Sequence, residues 1–164
     1  MKPLREFKIT RRNLPHWQAP GAAYFVTWRV LDGLVLLPEE RTITLDAVKH
    51  WDGVRWRVYA AVVMPDHVHV LAYPLPLDLL DPAASEFHDL GELVGSVKKF
   101  SARKINERRG RKGALWLDER YDRIPRHERE FEDTWGYIRS NPVGAGLVER
   151  PEEYVWWCEA GRAD

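Results

Sequence analysis

A chain of 164 residues, 45% hydrophobic and 30% charged, has the length of one domain and enough apolar side chains for a core, which excludes a disordered or fibrous protein. Its one cysteine, Cys158, excludes an internal disulfide and fits a reducing compartment. No apolar run approaches the ~20 residues of a membrane span, and the segment bearing Arg5, Lys8, Arg11 and Arg12 lacks the apolar core of a signal peptide, so a cytoplasmic protein is expected.

Residues 1–20 read as a basic N-terminal arm. Tyr24 to Val30 is β-branched and aromatic, a first strand. Glu39 to Trp51 follows Pro38 in a loosely helical pattern, with Ile43, Leu45, Ala47 and Val48 as its apolar positions. Val54 to Val63 gives a second strand, Pro65-Asp66 a turn, and His67 to Tyr73 a third strand. A Leu- and Pro-rich loop over 74–82 precedes a helix from Asp89 to Arg109. That helix turns Leu90, Leu93, Val94, Val97, Phe100 and Ser101 inward and offers Ser96, Lys99, Arg103 and Asn106 on its other side. Gly110 to Gly113 is a basic loop and Leu115 to Arg123 a fourth strand. A last helix spans Glu128 to Ser140, with Phe131, Trp135 and Ile138 on one face; Pro142 and the glycines after it predict a stop near Asn141. Residues 149–164 are expected to form a tail. The order β-α-β-β-α-β plus one more helix is that of an α+β, ferredoxin-like antiparallel sheet.

Charge is distributed unevenly beneath a net of zero. Residues 31–92 hold eleven acids against four bases, a net of −7, whereas residues 98–129 hold twelve bases against five acids, a net of +7. A basic stretch on an otherwise acidic chain is either a solvated surface or a footprint for a polyanion. Of the eight tryptophans, some suit the core and others suit stacking on unpaired bases.

Two motifs carry chemistry. In the third strand, His67 and His69 share a face while Val68 and Val70 point to the other, so the imidazoles are either a ligand pair for a divalent metal or two surface histidines. In the last helix, Tyr137 lies off the apolar stripe and shares a face with Asn141, one turn on. Tyr137 is a candidate nucleophile or a packing residue, and Asn141 a helix cap before Pro142.

Together these motifs resemble the HUH single-tyrosine transposases, most closely the REP-associated tyrosine transposases. The resemblance runs through Arg11-Arg12-Asn13-Leu14-Pro15-His16-Trp17, Gly21 to Trp28, Val62 to His69, Ser96 to Ala102, Trp116, Tyr121-Asp122, and Tyr137 to Val148. It implies one HUH domain over residues 1–164, helices on one face of the sheet and the catalytic surface on the other. It also implies Mg²⁺ or Mn²⁺ held by His67, His69 and Asn141, with Tyr137 forming a 5′-phosphotyrosine on single-stranded or hairpin DNA such as repeated extragenic palindromes. Contacts to the DNA backbone are expected from Arg11, Arg12, Lys98, Lys99, Arg103, Lys104, Arg123 and Arg126. A monomer is favoured over a dimer, and a nucleoid-associated location follows from the substrate.

The chain departs from its relatives where many have His after the Tyr-Asp pair. Here Arg123 stands, which cannot act as a neutral base or a metal ligand and suits a phosphate contact. The serines usual after the final aromatic residue are also missing. The rival readings are a domesticated, catalytically idle DNA-binding protein of the same fold, and a metal phosphohydrolase in which Tyr137 is structural.

Overall fold

The computed structural model describes residues 8–11, 15–18 and 21–159, the first two stretches as backbone only. Within the expected basic arm, β1 (Lys8–Arg11) and β2 (Pro15–Gln18) pair as an antiparallel hairpin. Arg12 and the side chain of Arg11 lie outside the described residues.

The main sheet has five strands, β3 (Tyr24–Val30), β4 (Trp56–Val63), β5 (His67–Pro74), β6 (Trp116–Arg123) and β7 (Trp157–Glu159), in the order β6-β3-β5-β4-β7, all antiparallel to their neighbours. β3 (Tyr24–Val30), α1 (Pro38–His50), β4 (Trp56–Val63), β5 (His67–Pro74), α2 (Leu90–Arg109) and β6 (Trp116–Arg123) supply the expected β-α-β-β-α-β. The antiparallel order places β3 and β5 in the interior of the sheet. β4 begins two residues later than the pattern suggests, because Asp52 to Arg55 make a turn in which Gly53 adopts φ +77°, a conformation that favours glycine.

Strand alternation divides the core between the two faces. Tyr24, Val26 and Trp28 of β3 and Val68, Val70 and Ala72 of β5 pack with Leu90, Leu93, Val94, Val97 and Ile105 of α2 and with Leu45 and Val48 of α1. The other face presents Phe25, Leu71, Ala60 and Val62 to Ile138 of α3 (Glu128–Gly144). The two crossover helices therefore cover one face and α3 part of the other.

Three expectations need correction. Phe100 does not point inward; it is 42% exposed, because the inward stripe of α2 steps from Val97 to Ser101 and Ile105. Ser101 is buried as expected, its hydroxyl donating to Val97 O and accepting from Trp116 Nε1. α3 does not stop near Asn141, nor is Asn141 its cap: the helix runs to Gly144 with Pro142 inside it. Proline removes one N–H, but the ring is buried and Ala145 N–H still donates to Asn141 O, so packing outweighs the local cost. Finally, the C-terminal tail is partly built into the sheet. β7 (Trp157–Glu159) pairs with the edge of β4, and the buried Tyr154 hydroxyl donates to Val63 O at 2.6 Å. Among the described residues no helix is long and apolar enough to cross a membrane.

Candidate active site

β5 mounts the two histidines. Val68 and Val70 are fully buried toward α1 and α2, so His67 and His69 face the α3 side, with ring centroids 4.6 Å apart. Across the sheet, His67 pairs with Arg29 and His69 with Thr27. Each imidazole is held by its Nδ1. Asp66 Oδ1 lies 2.5 Å from His67 Nδ1, and Thr27 Oγ1 lies 2.7 Å from His69 Nδ1.

This arrangement fixes the ring chemistry. Burial alone would raise the Asp66 carboxyl, but the hydrogen bond from His67 and the charges of His67 and Arg29 outweigh it and hold the carboxyl below its usual range. An ionised carboxylate can only accept, so His67 donates from Nδ1. His69 is pushed down to about 3, first by burial and then by the positive charges of His67 and Arg29, and is a neutral imidazole. Its Nε2 is buried and has no hydrogen-bond partner among the described residues. A buried polar atom without a partner costs roughly 1–3 kcal/mol. Two imidazoles, each engaged at Nδ1 by an oxygen partner, form the donor set of a histidine metal site. The residues present thus fit a divalent cation.

Tyr137 stands beside this pair. Its ring centroid is 5.5 Å from that of His69 and 6.2 Å from that of Phe25, whose ring stands nearly perpendicular to it. The side chain is 52% exposed, so the hydroxyl is accessible. Ile138, fully buried against the sheet, anchors the turn that carries it. Asn141 follows one turn on, half-buried. Among the described residues no three His, Cys, Asp or Glu side chains converge on one point.

Tyr137 and His69 open onto a cleft of about 540 Å³, lined also by Phe25, Thr27, Tyr121 and Arg123. Of the expected DNA contacts, only Arg123 lines this cleft. Lys99 and Arg103 line a second, larger groove of about 1010 Å³ between α2 and β6, where Phe100 lies beneath the Arg103 guanidinium. Lys104 is exposed on α2, and Arg126 is exposed beyond β6, paired with Glu130. Lys98 differs from the rest: its ammonium donates to Leu117 O at 2.8 Å, which ties α2 to the edge strand. Leu117 and Arg120 of the edge strand border both depressions.

A solved structure of a REP-associated tyrosine transposase bound to a REP hairpin superimposes with a TM-score of 0.68. The match covers 90% of this chain and 82% of that one, at 17% sequence identity. The fold is that of a REP-associated tyrosine transposase. A candidate transposase from Deinococcus radiodurans R1 also aligns, over 79% of this chain and 94% of its own, at 21% identity and a TM-score of 0.47. No protein-family profile matches the sequence, and no curated protein sequence does.

Four further side chains at the candidate site lie inside the matched segments but are given no site role by the motifs. Thr27 and Asp66 orient the histidines, Phe25 supports both His69 and Tyr137, and Tyr121 walls the cleft. Asp66 is signalled by its place directly before His67. Phe25, Thr27 and Arg29 share a face by strand alternation, but only the register of β3 on β5 shows which histidine each one meets.

Proposed function

We propose that this protein nicks and rejoins single-stranded DNA through a covalent bond to Tyr137, with Mg²⁺ or Mn²⁺ held by His67, His69 and Asn141, and that hairpin DNA is its substrate. The observation that carries the reading is the pair of imidazoles, each engaged at Nδ1, with the buried His69 Nε2 unpartnered among the described residues, beside an exposed tyrosine on a separate helix. The transposase fold supports it, as does the hairpin bound by the REP-associated neighbour.

In this reaction the Tyr137 oxygen attacks the phosphorus in line with the 3′ oxygen, and the phenol proton is lost. The P–O3′ bond breaks, the 3′ oxygen takes a proton, and the 5′ phosphate stays on the tyrosine. Reversal by another 3′-hydroxyl rejoins the strand, so no nucleotide triphosphate is consumed. His67 and His69 would hold the divalent cation, which would supply charge neutralisation to the reacting phosphate. Asp66 and Thr27 keep the imidazole nitrogens aimed at that position. Phe25 braces the Tyr137 ring, nearly perpendicular to it. Arg123, on the open side of the cleft, offers a phosphate contact. The basic side chains of the α2 groove extend the surface for DNA outside the cleft.

Incubation with a labelled hairpin bearing single-stranded flanks, in Mn²⁺, followed by denaturing electrophoresis, tests the proposal. The expected result is a protein–DNA adduct that is lost on chelation and in His67→Ala and His69→Ala. Binding of the hairpin with no adduct under any metal condition would instead identify an idle DNA-binding protein, and metal-dependent cleavage without an adduct a phosphohydrolase.

A further inference from the structure

β6 is the edge strand next to β3, and α3 does not cover it. On the active-site side, one rung of the sheet runs from Tyr121 through Thr27 to His69. Two interstrand steps of about 4.8 Å separate the backbones of Tyr121 and His69 by about 10 Å, a gap that a single nucleotide spans. Tyr121 is 57% exposed, and no ring among the described residues packs on it. Two residues along, on the same face, Arg123 sets its guanidinium 6.0 Å from the Phe25 ring and forms no ion pair among the described residues. Two residues the other way is Glu119, which also lines the cleft. Along β6 the cleft wall is therefore aromatic in the middle, with Arg123 at one end and Glu119 at the other; Arg29 and Arg120 also line the cleft, ion-paired to Asp66 and Asp122.

A bare aromatic face beside a cation fits a nucleobase with its phosphate. Every base has a π-face, so stacking requires no particular sequence. Arg123, without an ion pair among the described residues, is the cation placed to take the nucleotide's own phosphate, at the opposite end of the wall from Glu119. We infer that Tyr121 is the stacking platform for the unpaired nucleotide adjacent to the phosphate that Tyr137 attacks, with Arg123 holding that nucleotide's outer phosphate. The inference rests on the proposed nicking reaction and adds a site for the flanking base. Removing the ring should leave the fold intact, because the side chain is mostly in solvent.

The test uses the full chain and a hairpin oligonucleotide whose flanks carry 2-aminopurine at one position at a time, read in the Tyr137→Phe protein with Mn²⁺ so that nothing is cleaved. Fluorescence should be quenched at one position next to the cut, and Tyr121→Ala should abolish that quenching while Tyr121→Trp keeps it. In the reactive protein, Tyr121→Ala should slow adduct formation about 10-fold at subsaturating DNA, as expected for loss of one stacked base. An abasic nucleotide at the same position should slow the wild type equally and the variant no further. Quenching that survives Tyr121→Ala, or losses that multiply in the combination, overturns the stacking role while leaving the nicking reaction standing. Quenching by the wild type with no adduct anywhere retains the platform and removes the reaction instead.

Discussion

Replacing Thr27 by valine removes one hydroxyl and little volume, and its consequences follow from a single 2.7 Å contact to His69 Nδ1. His69 is buried and neutral, so Nδ1 in the variant loses its partner and cannot recover one from solvent. An unsatisfied buried imidazole nitrogen costs about 1–3 kcal/mol, and the half-buried site suggests the lower half, so urea unfolding should register a loss of about 1–2 kcal/mol. The second effect is on the metal. With Thr27 gone the ring can turn and exchange tautomers, and loss of an orienting partner typically weakens metal binding about 10–100-fold. Calorimetric titration with Mn²⁺ reads this directly, without DNA. Thr27→Ser keeps the hydroxyl and should restore most of both quantities. Unchanged Mn²⁺ affinity in Thr27→Val would refute the claim that Thr27 orients a metal ligand, and unchanged stability would show that the contact is not satisfying a buried group.

Three other outcomes are expected. Glu40 is buried yet its carboxyl is held below the ordinary value of 4.5: burial raises it, but the Arg109 guanidinium and the Leu37 N–H outweigh that. A lowered pKa gives stability that is fully present above pH 4.5 and lost as pH falls through the folded value, so Glu40→Gln should cost about 3 kcal/mol at neutral pH and flatten the acid limb of a stability–pH profile; equal acid sensitivity in the variant and the wild type would contradict this. Ile138→Ala should destabilise by about 2–5 kcal/mol in urea unfolding and Ile138→Val by about 1, because the side chain is fully buried beneath α3; a negligible loss would mean that α3 does not need this anchor. Removing Lys99 and Arg103 together should weaken hairpin binding and lower its salt slope by about 2, since each phosphate contact releases about one counterion; an unchanged slope would make the α2 groove a solvated surface.

The parts of the fold legible in the sequence are those with strong periodicity. β5 alternates between two buried valines and two histidines, so its two-faced role follows from spacing alone. The stripe of α2 gave its inward face except at Phe100, which lies on the stripe's flank where periodicity cannot separate core from rim. Short elements carry too few residues for any period, which is why the β1–β2 hairpin and the three-residue β7 read as arm and tail. α3 outran its expected end because a proline rule is local and the burial of Pro142 is tertiary. In the site, residue types and spacing pointed to His67, His69 and Tyr137. The partners Thr27 and Asp66, and the cleft wall at Tyr121, come from register and edge position, which no single strand encodes. Likewise the basic run from Lys98 to Arg129 is divided by the fold. Arg123 faces the cleft, Lys99 and Arg103 line the groove beside α2, and Lys98 is engaged with β6 carbonyls.

The most direct test of the account is to locate the covalent bond. The adduct formed with a hairpin in Mn²⁺ is digested with nuclease and trypsin and analysed by tandem mass spectrometry. Cleavage after Arg129 and Arg139 releases Glu130–Arg139, in which Tyr137 is the one tyrosine, whereas Tyr121 leaves in the fragment Tyr121–Arg123. The account predicts a 5′-phosphonucleotide on Tyr137 in the first peptide. A nucleotide on Tyr121, or on any residue other than Tyr137, would contradict it.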